Sequence, residues 1–196
     1  MNLFISIFIK FFVLLTPFFV LTMFLALTKG MDRPARRAVA VRVTLAVIVA
    51  CLVLFFFGNA LFALLGITVD SFRIGAGALL FLSAVALVRG SPGAVPSEDG
   101  GDVSVVPLAI PITVGPASTG ALLVLGAGLD ASQKLVGCAA LVSAILCVGA
   151  ILFMSHHVQR LLGKMGIEIL TKLTGLILAA LAAQIVFTGI VNFMGA

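Results

Sequence analysis

Residues 107–120 read Pro107-Leu108-Ala109-Ile110-Pro111-Ile112-Thr113-Val114-Gly115-Pro116-Ala117-Ser118-Thr119-Gly120, with three prolines and two glycines in 14 positions. Such a stretch cannot form a regular helix. Each internal proline removes a backbone hydrogen bond and clashes with the carbonyl one turn earlier, at about 3 kcal/mol. In lipid, freed backbone groups are tolerated only where protein buries them or a cavity hydrates them. Thr113, Ser118 and Thr119 place hydroxyls beside the break. A half-helix starting near Pro116 would aim its partly positive end at the same point, a favourable place for a carboxylate. A Pro-kinked packing helix is the alternative. Thr16-Pro17, flanked by Phe18 and Phe19, is a weaker counterpart near the N-terminus. The expected binding set for a small polar solute is therefore Thr16, Pro17, Pro111, Thr113, Gly115, Pro116, Ser118 and Thr119.

Asp70 and Arg73 lie three apart and share a helix face. They form either an ion pair at the membrane interface or a charge lining a vestibule, where Asp70 could couple an ion. His156-His157 has no acidic neighbour to complete a proton relay. Asn59, Gln184 and Asn192 are isolated amides, suited to hydrogen bonds between helices. No His-Glu-x-x-His helix, phosphate-binding Gly-x-x-x-x-Gly-Lys motif or pair of membrane-embedded aspartates is present. Cys51, Cys138 and Cys147 lack the Cys-x-x-Cys spacing of a disulfide or zinc site. These readings give no catalytic residue, no metal and no cofactor.

The elements that position such residues follow from composition. The chain has 196 residues, 62% hydrophobic and 10% charged, with a mean hydropathy of +1.33. A soluble domain carries about a quarter charged residues. This chain has too few to cover a water-facing surface, which excludes a soluble enzyme or a nucleic-acid-binding module. Uncharged runs of 18, 27, 15, 27, 25 and 24 residues follow Lys10, Arg42, Arg73, Asp102, Lys134 and Lys172. A spanning helix needs about 20 residues. The runs predict six transmembrane helices. The third is short, so that helix must begin near Ile67 and carry Asp70 and Arg73 in its first turn.

Basic residues orient the bundle. Nine fall on one side: Lys29, Arg33, Arg36, Arg37, Arg42, Arg89, Arg160, Lys164 and Lys172; Lys10, Arg73 and Lys134 fall on the other. Both termini are thus expected to be periplasmic. Gly66-Ile67 echoes Gly166-Ile167, Gly30-Met31-Asp32 echoes Gly128-Leu129-Asp130, and Pro17 falls opposite Pro116, at an offset near 100. The expected architecture is all-α. It consists of two inverted three-helix repeats, residues 1–90 and 105–196, with Pro/Gly-broken helices 1 and 4 and a polar linker at 91–104. Inverted repeats of this kind are a common plan of secondary transporters.

Three segments carry a family resemblance: LALTKGMDRPARRAVAVR (25–42), LLGITVDSFRIGAGALLFLSAVALV (64–88) and VPLAIPITVGPASTGALLVL (106–125). The chain resembles the MarC-type (UPF0056) integral membrane proteins, also grouped as neutral amino acid transporters. The resemblance implies a six-helix inner-membrane carrier, some members of which look like transporters of glycine or alanine. The family's first half usually has an Asn-Pro-Ile-Gly-Asn-type motif. Here the positions read Thr16-Pro17-Phe18-Phe19-Val20, without the amides or the glycine. Phe18 would narrow the cavity or select a more apolar ligand. The expected function is secondary active transport of small neutral amino acids or related metabolites across the bacterial inner membrane. The expected partners are the lipid bilayer, a small-molecule substrate and a coupling proton or sodium ion, with homo-oligomerisation open and nucleic acid excluded. A passive channel or a structural membrane subunit is the alternative.

Overall fold

The computed structural model describes residues 3–28, 30–90, 113–114 and 116–195. Among these the chain is all-helical: α1 (Leu3–Leu14), α2 (Pro17–Leu27), α3 (Arg33–Leu65), α4 (Val69–Arg89), α5 (Pro116–Ala127), α6 (Ala131–Phe153) and α7 (Ser155–Met194). Five stretches are long and apolar enough to cross a membrane, with α1 and α2 counted as one. The apolar part of α5, Ser118–Ala127, is shorter. The linker and Pro107–Ile112, expected to begin the fourth span, lie outside the described residues.

The helix ends follow local chemistry. Asp32 caps α3 by accepting from the Ala35 amide at 3.0 Å, with Pro34 in the first turn. Thr68 caps α4 by accepting from the Ser71 amide at 3.1 Å, so Asp70 falls in the first turn as expected. Gly66, at φ 65°, closes α3, because that left-handed conformation costs glycine little. The final span departs from expectation. Instead of starting after Lys172, helix runs from Ser155, interrupted only at Gly163 (φ 65°, ψ 176°). Lys172 does not stop it, because it pairs one turn back with Glu168 at 2.9 Å.

Helices α4 and α7 pack antiparallel along much of their length. A Cβ on Gly77 would lie 3.1 Å from the Ala182 carbonyl, one on Gly175 3.1 Å from that of Ala84, and one on Gly189 2.9 Å from that of Asp70. These small residues let the two backbones approach, the usual means of helix association in lipid. Helix α5 lies against α3 and α4, and α6 against α1 and α3. Leu15, Leu21, Phe24, Cys51, Leu122 and Leu141 fill the centre. Leu45, Val49, Val53 and Phe57 recur at every fourth position of α3 and are each more than half exposed. That stripe has the pattern of a lipid-facing surface.

Candidate functional site

The two interrupted stretches meet. Helix α1 stops at Leu14; the Leu15 amide still reaches the Phe11 carbonyl at 3.0 Å, and the Thr16 amide turns to Val13 at 2.9 Å. Thr16 then adopts φ 45°, ψ 59°. This is the left-handed region, which costs a non-glycine residue about 1–2 kcal/mol. Pro17 follows as the first residue of α2, where its missing amide does no harm. Across the break, Ser118 Oγ in the first turn of α5 donates to the Leu14 carbonyl at 3.4 Å. Thr16 and Pro17 are buried here, and Thr119 is half-buried one residue beyond Ser118. Thr113 is 2% exposed and lines a small space of about 10 Å³ with Leu15 and Thr44, no larger than one water molecule. Pro116 begins α5. Pro111 and Gly115, the remaining expected site residues, lie outside the described residues.

Two vestibules approach this break from opposite directions. One, at the end where basic residues gather, has a volume of about 610 Å³ and is lined by Phe19 and Thr22 of α2, Arg36, Leu87 and α7 from Gln159 to Lys172. The other, of about 290 Å³, is lined by Lys10 and Leu14 of α1, Arg73 and Leu80 of α4, and α7 from Leu181 to Thr188. They share α4 and α7 as walls and lie on either side of the α1–α2 break. Along the helices between them, Leu15 and Ala84 are 0% exposed and Leu178 is 2% exposed. The seam is closed.

A family model for the MarC family integral membrane proteins matches residues 1–194. The chain belongs to the MarC family. A UPF0056 membrane protein of Aquifex aeolicus is 30% identical, over 98% of this chain and 94% of its own length. One from Methanocaldococcus jannaschii is 29% identical over 95% of each chain. YhcE of Escherichia coli is 29% identical over 93% of this chain and 89% of its own. No solved structure matches the chain significantly. The relatives' names give membrane residence and no substrate.

In this MarC-family protein, Asp70 and Arg73 stand apart from the break, at the far end of the smaller vestibule. Asp70 Oδ1 accepts from Arg73 Nη1 and, at 3.2 Å, from Asn192 Nδ2 of α7. The ion pair stays within α4, the Asn192 hydrogen bond ties Asp70 to α7, and Arg73 also lines the vestibule. Asn192 thus has the interhelical role that its amide suggested. Phe19, not Phe18, lines the larger vestibule. Sequence reasoning counted Lys10, Arg36, Lys164 and Lys172 only as markers of topology and treated Gln184 as an interhelical partner. All five line vestibules. A signal was available for Lys10: a charge inside an apolar span, about two turns before a proline break, is a functional candidate.

Proposed function

We propose that this MarC-family protein is a secondary active transporter of small neutral amino acids or related small metabolites across the bacterial inner membrane. The observation that carries this reading is the pair of vestibules on opposite sides of one closed seam. A carrier needs access from each face and never from both at once. A permanently open channel would not need the closed stretch at Leu15, Ala84 and Leu178.

In this reading, solute from one vestibule reaches the junction of the two broken stretches near the midplane. Hydroxyls of Thr16, Thr113, Ser118 and Thr119 and the backbone at Pro17, Pro111, Gly115 and Pro116 then hold its polar end. Residues 1–90 and 105–196 act as two inverted three-helix repeats joined by the 91–104 linker, with both termini periplasmic. Several paired features support that reading. Asp32 and Asp130 precede α3 and α6 with the same backbone angles, φ −67° and ψ 164° or 163°. Pro17 and Pro116 each open a helix. Antiparallel α4 and α7 are what inversion of a three-helix unit requires. Rocking one unit against the other would open each vestibule in turn, driven by a proton or sodium ion, with Asp70 the candidate coupling group.

Counterflow in proteoliposomes preloaded in turn with glycine, alanine, serine and a larger apolar amino acid tests this. Saturable, trans-stimulated exchange of one of them is the expected result. Solute flux that neither saturates nor responds to solute on the opposite side would identify a channel. No flux of any of them from inserted protein would favour a structural subunit.

A further inference from the structure

Lys10 is the only basic residue in α1, about 10 Å along the helix from Leu3 at 1.5 Å per residue. Among the described residues it makes no hydrogen bond and no ion pair. Lys10 is exposed, and a cation within an apolar span persists where it faces a watered cavity or a partner. Lys10 faces the smaller vestibule, and so does Arg73. The Arg73 guanidinium gives one edge to Asp70 through Nη1. Its Nη2 lies 3.4 Å from where a Cβ on Gly128 would stand, so glycine there leaves room beside that edge. Asp70 already serves Arg73 and Asn192, which leaves the charge of Lys10 uncompensated.

The remaining wall sets the shape of a ligand. Gln184 lines the same space, and its side-chain amide has no hydrogen-bond partner among the described residues. Leu14, Leu80, Leu181 and Ile185 supply an apolar floor. The volume of about 290 Å³ sits at the small end for a ligand cavity. Donors therefore outnumber free acceptors around a short apolar space. One uncompensated positive charge matches a monoanion; a dianion such as phosphate would bring a second negative charge that no group lining the vestibule balances.

The geometry points to a binding station for a small monocarboxylate in this vestibule, with Lys10 as the charge that selects it and Arg73 and Gln184 as the groups that orient it. The carboxylate sits between the Lys10 ammonium and Arg73 Nη2, with its short carbon chain against Leu80 and Leu181. Passage of that solute through the protein rests on the carrier reading above; its binding does not.

The test uses the purified full chain in detergent with four probes of similar size: propionate, propionamide, propylammonium and inorganic phosphate. Binding is followed by calorimetry and by shift of the thermal midpoint. Propionate is expected to bind at least about tenfold more tightly than the other three, as loss of a hydrogen bond to a charged group implies. Lys10→Gln should remove about tenfold of propionate affinity, while Lys10→Arg retains it. Lys10→Gln takes a charge out of an apolar helix, so folding is not at risk. Equal binding of propionate and propionamide, tighter binding of phosphate, or an unchanged Lys10→Gln affinity would overturn the assignment. Counterflow on the same preparations separates the two ideas. Propionate binding that depends on Lys10, without counterflow of any solute, would sink the carrier and keep the station; counterflow of alanine without carboxylate preference would do the reverse.

Discussion

Ser118 Oγ reaches the Leu14 carbonyl across 104 residues of sequence, so the first turn of α5 rests on the end of α1. At 3.4 Å this is a long hydrogen bond, and its loss should cost little stability. Ser118→Ala is expected to lower the thermal midpoint by no more than about 1 kcal/mol equivalent while reducing solute exchange several-fold. Pro116→Ala combined with Gly115→Ala should go further, extending helix through the junction and abolishing exchange with insertion intact. Normal exchange by the double variant at normal expression would count against a site at this junction.

The left-handed conformation of Thr16 gives a second prediction. Thr16→Gly removes the side-chain clash of that conformation, whereas Thr16→Val keeps the clash and loses the hydroxyl. Glycine should be the more stable of the two by about 1–2 kcal/mol in detergent unfolding. Valine equal to glycine would mean that α1 and α2 join without this turn.

Two glycines, Gly189 on the α4–α7 seam and Gly75 on an open face of α4, should respond oppositely to the same change. A Cβ on Gly189 would come within 2.9 Å of both the Asp70 carbonyl and Arg73 Cβ, and backbone cannot step aside. Gly189→Ala is expected to destabilise by about 1–3 kcal/mol. Gly75, on α4, has nothing within 4 Å of such a Cβ. Gly75→Ala should therefore gain about 0.5–1 kcal/mol from helix propensity alone. Similar thermal midpoints for the two variants would refute the close approach of α4 and α7.

The tie between α4 and α7 at Asp70 yields a graded series. Arg73→Ala leaves Asp70 with Asn192 as its remaining partner and should harm folding more than Arg73→Lys, which keeps a cation within reach. Asn192→Ala should cost about 1 kcal/mol, the worth of one side-chain hydrogen bond to a charged group or somewhat less. Indistinguishable yields and melting points for Arg73→Ala and Arg73→Lys would remove the structural role of the pair.

What the sequence made legible was whatever the bilayer constrains directly. A span of apolar residues has to be about 20 long, and a proline has no amide wherever it sits, so the spans and the Pro17 and Pro116 interruptions were readable. The short third run forced Asp70 into the first turn of its helix, where it lies. The vestibules were not readable, because a cavity depends on which faces of four helices meet. Lys10 and Gln184 look like an orienting charge and a packing amide until α1 and α7 are brought to one wall.

Accessibility of the two vestibules provides the sharpest check on alternating access. In a background with Cys51, Cys138 and Cys147 replaced by alanine, Thr22→Cys and Thr188→Cys place single thiols in the larger and smaller vestibules. A membrane-impermeant thiol reagent should label each from one face of the membrane only, and from opposite faces. Leu178→Cys, at a position 2% exposed between them, should resist labelling from both sides at rest. During exchange, its labelling should rise from whichever face the seam opens to. Labelling of Leu178→Cys from both faces without substrate would mean a continuous pore, and the closed seam would then belong to a gate and not to a carrier cycle.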